Sequence, residues 1–90
     1  NVLYISGTGN PALTFVRGST YIFDQSNTTN TGHQIAFKDS GGNAYTTGVV
    51  TVGTPGQAGA KTTFIAPSTG TLPSQYYCTS HGDGMGNTIS

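Results

Sequence analysis

Nowhere in this chain do apolar side chains recur at helical spacing over three turns. Short β-branched and aromatic runs alternate in period two instead, and glycine, proline or asparagine breaks them every few residues, so strands and turns are nearly all the sequence can build. Val2 to Ile5 reads as a first strand, closed by the loop Ser6-Gly7-Thr8-Gly9-Asn10-Pro11. Leu13 and Phe15 mark a second over Ala12 to Val16, and Arg17-Gly18 turns it into a third, Ser19 to Asp24, expected to lie beside it. There Tyr21 and Phe23 alternate with Thr20 and Ile22. The run from Gln25 to Gly32 is too polar to bury and too rich in turn formers to continue a strand. Strand character returns at His33 to Phe37, with His33 on the same face as Ile35 and Phe37, towards the core. A glycine turn over Lys38 to Asn43, a weak strand around Thr46 to Val50 and a Gly/Pro loop over Gly53 to Gly59 lead to Lys61 to Ala66. In that run Thr62, Phe64 and Ala66 oppose Thr63 and Ile65. Pro67 to Pro73 then turns the chain into Ser74 to Cys78, and a last strand is expected from Asn87. No repeat period is present, and the expected fold is an all-β sandwich in a single domain spanning residues 1–90.

Composition narrows the function classes. Charged residues are 7% of the chain, where soluble domains carry about 25%. Arg17, Lys38 and Lys61 balance Asp24, Asp39 and Asp83 without forming a basic run, so the electrostatic footprint of a nucleic-acid binder is missing. No apolar run approaches the roughly 18 residues of a membrane span, and no signal-like segment precedes Asn1, so a mature or excised domain is expected. A chain this short buries a thin core, to whose stability a bound metal would matter. One cysteine makes no internal disulfide, which leaves its thiol to be explained as free or as a ligand.

The explanation lies in Tyr76-Tyr77-Cys78-Thr79-Ser80-His81-Gly82-Asp83-Gly84-Met85-Gly86. This stretch holds the sole cysteine, the sole methionine and one of the two histidines, on a glycine-rich loop leaving an aromatic strand. The other histidine, His33, enters from a separate strand. Singly, each residue has a plain reading: a buried cysteine is a small hydrophobe, and a methionine fills a core. Together, two imidazoles, a thiolate and a thioether form the donor set of a copper site with a weak axial sulfur. Structural zinc prefers closed sets of cysteine and histidine without thioether, so Met85 argues for copper. A nucleophilic Cys78 with a histidine base is the catalytic alternative, but the sequence shows no oxyanion motif or acid orienter beside it, and no enzyme activity is expected.

Gly32-His33-Gln34-Ile35-Ala36-Phe37 and the Tyr76 to Gly86 stretch resemble the cupredoxin family of type 1 blue-copper proteins, nearest to plastocyanin, pseudoazurin and amicyanin. The resemblance covers the chain from about Leu13 onward, including the Pro/Gly loop before Lys61. It implies an eight-stranded Greek-key β-sandwich and one copper ion held by His33, Cys78, His81 and Met85, with Tyr77 as the aromatic residue beside the cysteine. It implies a one-electron carrier, with Tyr77 as a route outward and His81 as the edge that a redox partner protein touches. With so little charge, docking is expected to use a small apolar face, and the isolated domain is expected to be a monomer. Tyr21-Ile22-Phe23-Asp24-Gln25-Ser26-Asn27 and Met85-Gly86-Asn87-Thr88-Ile89 are similar, more loosely, to domains embedded in large marine bacterial and phage proteins. A structural or binding module with a structural or vestigial copper site is therefore the second expectation. The settings implied are periplasmic or extracellular, or virion-associated.

The chain departs from the family at three places. Gln34 stands where plastocyanin has asparagine, although the role there, a backbone N–H directed at the cysteine thiolate, is expected to survive the change. Three residues separate His81 from Met85, where plastocyanin has four and amicyanin two, which bears on the axial contact and on whether the site is blue or green. Ser80 stands where plastocyanin has proline, and its retained N–H is expected to offer Cys78 a second hydrogen bond.

Overall fold

A computed structural model describes residues 3–5 and 8–90. Its regular elements are β1 (Tyr4–Ile5), β2 (Thr8–Gly9), β3 (Thr20–Asp24), β4 (Ile35–Lys38), β5 (Ala44–Tyr45), β6 (Val49–Val52), β7 (Lys61–Ile65), β8 (Gln75–Cys78) and β9 (Gly82–Thr88), with one short 3-10 turn at Thr28–Asn30. Among the described residues no helix is long and apolar enough to cross a membrane. The expected first strand and its loop are present in part, since Val2, Ser6 and Gly7 lie outside the described residues.

Two antiparallel sheets form the body. One has the order β3-β7-β6 and the other β5-β4-β8-β9, while β1 and β2 pair separately as a small hairpin. The chain crosses between the sheets from β3 to β4, from β5 to β6 and from β7 to β8. Register follows the period-two pattern. Opposite residues of a ladder share a face, so the pairs Ile35 with Cys78 and Phe37 with Tyr76 set four buried side chains on the inner face of the four-stranded sheet. On the three-stranded sheet the pairs Tyr21 with Phe64 and Phe23 with Thr62 set buried Phe64 and Thr62 beside half-buried Tyr21 and Phe23 on the inner face.

The two inner faces meet through aromatic rings. Phe37 and Phe64 have centroids 5.6 Å apart, Phe23 and Phe37 5.9 Å, and Phe15 stands 5.0 Å from Phe64 and 4.5 Å from Tyr21. Burying one such ring stabilises the fold by about 1.5–3 kcal/mol, so this cluster is the main cohesive element of a small core. Tyr76 is fully buried; its hydroxyl donates to the Pro11 carbonyl at 2.6 Å, and burial pushes its phenol up to about 12.

The stretch around Leu13 and Phe15 does not pair with β3, as its sequence position suggests. Leu13 forms a parallel bridge with Ile89, and the N–H groups of Leu13 and Phe15 donate to Thr88 and Ser90 at 3.0 and 2.9 Å. After the Arg17-Gly18 turn the chain lies against the other sheet, where Gly18 donates to Ala66 at 3.0 Å and Ala66 to Ser19 at 2.9 Å. The turn therefore carries the chain from one layer to the other, because Phe15 and Tyr21 must both enter the shared core. The last strand also starts earlier than expected: Gly82 and Gly86 pair with Cys78 and Tyr77 of β8, since a glycine lets the backbones approach closely.

Candidate metal centre

Alternation along β8 turns Tyr76 and Cys78 inward and leaves Tyr77 on the outer face. The Cys78 side chain is fully buried at the end of the strand. A tight turn follows, in which His81 N–H donates to the Cys78 carbonyl at 3.3 Å, and His81 itself is exposed. The β8–β9 ladder is irregular here: Tyr77 pairs with Gly86 but Cys78 with Gly82, so residues 83–85 form a bulge. An unbroken ladder would set Met85 opposite Cys78. Met85 keeps close to that place, buried to 3% exposure in the same side-chain cluster as Cys78 and Ile35.

Gly86 is what lets β9 close on β8. A Cβ there would collide with the Tyr76 carbonyl and come 2.8 Å from the Tyr77 Cα, so no larger residue fits without moving the strand that carries Cys78.

His33 comes from the other direction. Asn27 caps the 3-10 turn by accepting from Thr29 N–H at 3.0 Å, and the chain then bends so that His33 N–H donates to the Asn30 carbonyl at 2.8 Å. His33 stands two residues before β4, half-buried, and so belongs to the turn and not to the strand the alternation suggests. Two bonds tie this turn to the cysteine turn. Thr79 N–H donates to the Gln34 carbonyl at 3.0 Å, and the Ser80 hydroxyl donates to the Gly32 carbonyl at 2.7 Å.

The result is convergence on one sulfur. His33 Nδ1 lies 3.5 Å and His81 Nδ1 3.7 Å from Cys78 Sγ, and one nitrogen or sulfur atom from each of the three residues lies within 4.8 Å of the others. The two imidazole rings are 4.8 Å apart between centroids. A metal–nitrogen bond of about 2.0 Å and a metal–sulfur bond of about 2.3 Å, at trigonal to tetrahedral angles, separate nitrogen and sulfur by about 3.5–3.7 Å. The spacing thus fits a single ion. A thiol can donate to one imidazole and accept from the other, and a thiolate between the same two nitrogens is also placed to share a cation with them. The four expected residues, His33, Cys78, His81 and Met85, are close together in space.

Two sequence expectations are corrected. The hydrogen-bonding contacts of the Cys78 sulfur are the two imidazoles; neither the Gln34 N–H nor the Ser80 N–H bonds to it, and Ser80 acts through its hydroxyl on Gly32. Among the described residues the large exposed apolar side chains are Val16, Ile22, Val50, Val52 and Ile65, and Thr79, Ser80, Asp83 and Gly84, near His81 in sequence, are exposed.

On the outer face of the four-stranded sheet, Lys38 Nζ bonds Asp83 Oδ1 at 2.7 Å and stands 4.6 Å from the Tyr77 ring centre. The hydrogen bond to Lys38 holds the Asp83 carboxyl below its ordinary range, and the Lys38 ammonium is held above its own. This pair fastens the bulge between His81 and Met85 to β4.

Sequence reasoning missed the polar support beneath His33. Gln25 and Thr62 are both buried, although Gln25 begins a loop that reads as solvated. The available signal was Thr62, a hydroxyl on the same face of β7 as Phe64 and Ala66, where a buried polar atom demands a partner. Compared with known proteins, the chain matches no family model, no curated protein and no solved structure.

Proposed function

We propose that this domain is a type 1 copper protein that carries one electron, with His33, Cys78 and His81 as the strong donors and Met85 as the axial thioether. The observation that carries the reading is the approach of two Nδ1 atoms, from segments far apart in sequence, to the buried Cys78 sulfur at 3.5 and 3.7 Å. Nitrogen, thiolate and thioether donors together suit copper in both of its common oxidation states, which is the redox chemistry a bound ion supplies here. The chain's own residues do the rest. Cys78 and Met85 are shielded from water, the bonds from Ser80 to Gly32 and from Thr79 to Gln34 keep both donor-bearing turns in place, and exposed His81 offers an edge to a partner. Donors held in this way move little when the charge between them changes, and a small rearrangement favours rapid electron exchange.

The Greek-key cupredoxin topology belongs to the same proposal, supported by the repeated crossings between sheets and the parallel bridge from Leu13 to Ile89. So do the absence of an enzymatic role, a redox partner protein docking near His81, and a periplasmic, extracellular or virion-associated setting. A specific observation favours the second reading, a structural module of a larger assembly: Ile22, Val50 and Ile65 are at least half exposed on the outer face of the three-stranded sheet, where a neighbouring domain would cover them.

Copper titration separates the readings. Cu(II) added to the apoprotein is expected to produce a visible thiolate-to-copper band that ascorbate bleaches and ferricyanide restores. Free copper at 100 times its dissociation constant should stabilise the fold by about 2.7 kcal/mol, seen as a higher melting temperature. A colourless mixture with unchanged melting rejects the copper site, and colour that cannot be cycled supports the structural module.

A further inference from the structure

Gln25 follows β3 and is 3% exposed, yet its side chain serves the His33 turn. Its Nε2 donates to the His33 carbonyl at 2.7 Å and to Asn30 Oδ1 at 3.5 Å. Its Oε1 accepts from Thr62 Oγ1 at 2.8 Å, from Gln34 Nε2 at 3.3 Å and from Ile35 N–H at 3.4 Å. Gln34 Nε2 also donates to Thr62 Oγ1 at 2.8 Å, which closes a triangle of three side chains. The main chain is held too, since Gln25 N–H donates to Ala60 at 2.9 Å and Gly56 N–H to the Gln25 carbonyl at 2.8 Å. Every hydrogen-bonding group of this residue is in use.

The direction of these bonds matters more than their number. Ordering a glutamine side chain costs rotamer entropy, and a buried amide needs partners only to avoid a desolvation penalty. Here both amide protons end on the turn that presents an imidazole to Cys78. Asn30 already accepts the His33 N–H through its carbonyl at 2.8 Å, so His33 is held from both sides of its backbone. Thr62 anchors the other end of Gln25 in β7, the central strand of the sheet that bears no donor. The loop behind is packed against the same turn: Gly56 has φ +92° and a Cβ there would collide with the Thr31 side chain.

We propose that Gln25 is a positioning residue for the His33 imidazole, carrying the rigidity of β7 through Thr62 into the turn that sets His33 against Cys78. Its consequence for metal binding rests on the copper reading, whereas its effect on His33 does not. Gln25 approaches none of the donor atoms and acts through the His33 backbone.

The test compares Gln25→Glu, Thr62→Val and, as a control for lost stability alone, Tyr21→Phe, which removes the hydroxyl that accepts from Val16 N–H at 2.6 Å. Gln25→Glu replaces the donor to the His33 carbonyl with a carboxylate oxygen of the same shape. It is expected to weaken Cu(II) binding about 10–100-fold and to move the visible band, as removal of a group that orients a metal donor does. Thr62→Val leaves every remaining polar group a partner, so it folds, and should weaken binding several-fold in the same direction. Tyr21→Phe should melt earlier with binding and band unchanged. In the copper-free proteins, the His33 ring resonances should shift in Gln25→Glu and Thr62→Val and stay fixed in Tyr21→Phe. Wild-type affinity, band and His33 resonances in both network variants would overturn the proposal. If Gln25→Glu fails to fold, Thr62→Val decides by the same three readouts. If the wild-type protein takes up no copper, the metal reading falls and the His33 resonances of the apoproteins still decide the role of Gln25.

Discussion

The two sheets are built from the same alternating pattern and end with opposite characters. The four-stranded sheet buries Ile35, Phe37, Tyr76 and Cys78 on its inner face and screens part of its outer face with Tyr77, Lys38 and Asp83. The three-stranded sheet buries Phe64 and Thr62 and leaves Ile22, Val50, Val52 and Ile65 open to solvent. The residues proposed as copper donors belong to the first sheet or its connecting turns, while the second supplies half of the aromatic core and, through Gln25 and Thr62, hydrogen bonds that reach the His33 turn. On the proposed reading, the contrast teaches that the chemistry sits on one layer but its geometry depends on both.

The sharpest way to break the comparison is at the cysteine. Cys78→Ser should abolish the visible band of the copper-loaded protein, because a hydroxyl is a poor soft donor, while the aromatic core keeps the chain folded. Absorption and circular dichroism on one sample check both halves, and a coloured Cys78→Ser protein contradicts the ligand assignment. Next in size is Gly86→Ala. The added Cβ collides with β8 backbone, an overpacking that costs about 1–3 kcal/mol, and it displaces the strand that holds Cys78. Melting should fall and copper binding weaken together, and a variant that melts like the wild type would show that β8 and β9 are less closely paired than here.

The smallest effect is expected on the other sheet. Ile22→Thr with Val50→Thr alters two exposed side chains that flank Thr63 and should change stability by about 0.5 kcal/mol or less, with the copper spectrum untouched. The measurement that sharpens the contrast is solubility and oligomeric state. If the exposed face is where a neighbouring domain packs, the double variant should be less prone to self-associate than the wild type, and an unchanged tendency would remove that support for the structural-module reading.

Much of the fold was legible because alternation is local. Thr62, Phe64 and Ala66 are buried and Ile65 is exposed, as the period of two requires, and Ile35 and Phe37 face the core together. The approach of His33 to Cys78 and His81 was likewise suggested by residue types: thiol, imidazole and thioether have few common uses when they fall within a few residues on one loop. The pairing of strands was not legible in the same way. Leu13 and Phe15 look like the neighbours of β3, and nothing local shows that they lie beside Ile89 instead. Ser80 is a second case, because its sequence position suggests a backbone donor to sulfur, whereas its hydroxyl spans to Gly32.

What the sequence by itself determined is the set of donor chemistries, their spacing along the C-terminal loop, and which side chains of each strand face inward, since all three follow from residue identity and the geometry of an extended chain. Only the tertiary structure decided that the loop bulges at residues 83–85, that Phe15 and Tyr21 enter one core from different layers, and that Gln25 is buried with both amide protons on the His33 turn. The reason is that these depend on contacts between segments distant along the chain. A polar residue at the start of a loop is solvated or buried according to what folds over it, and here the His33 turn, the loop at Gly56 and Thr62 of β7 fold over Gln25 together.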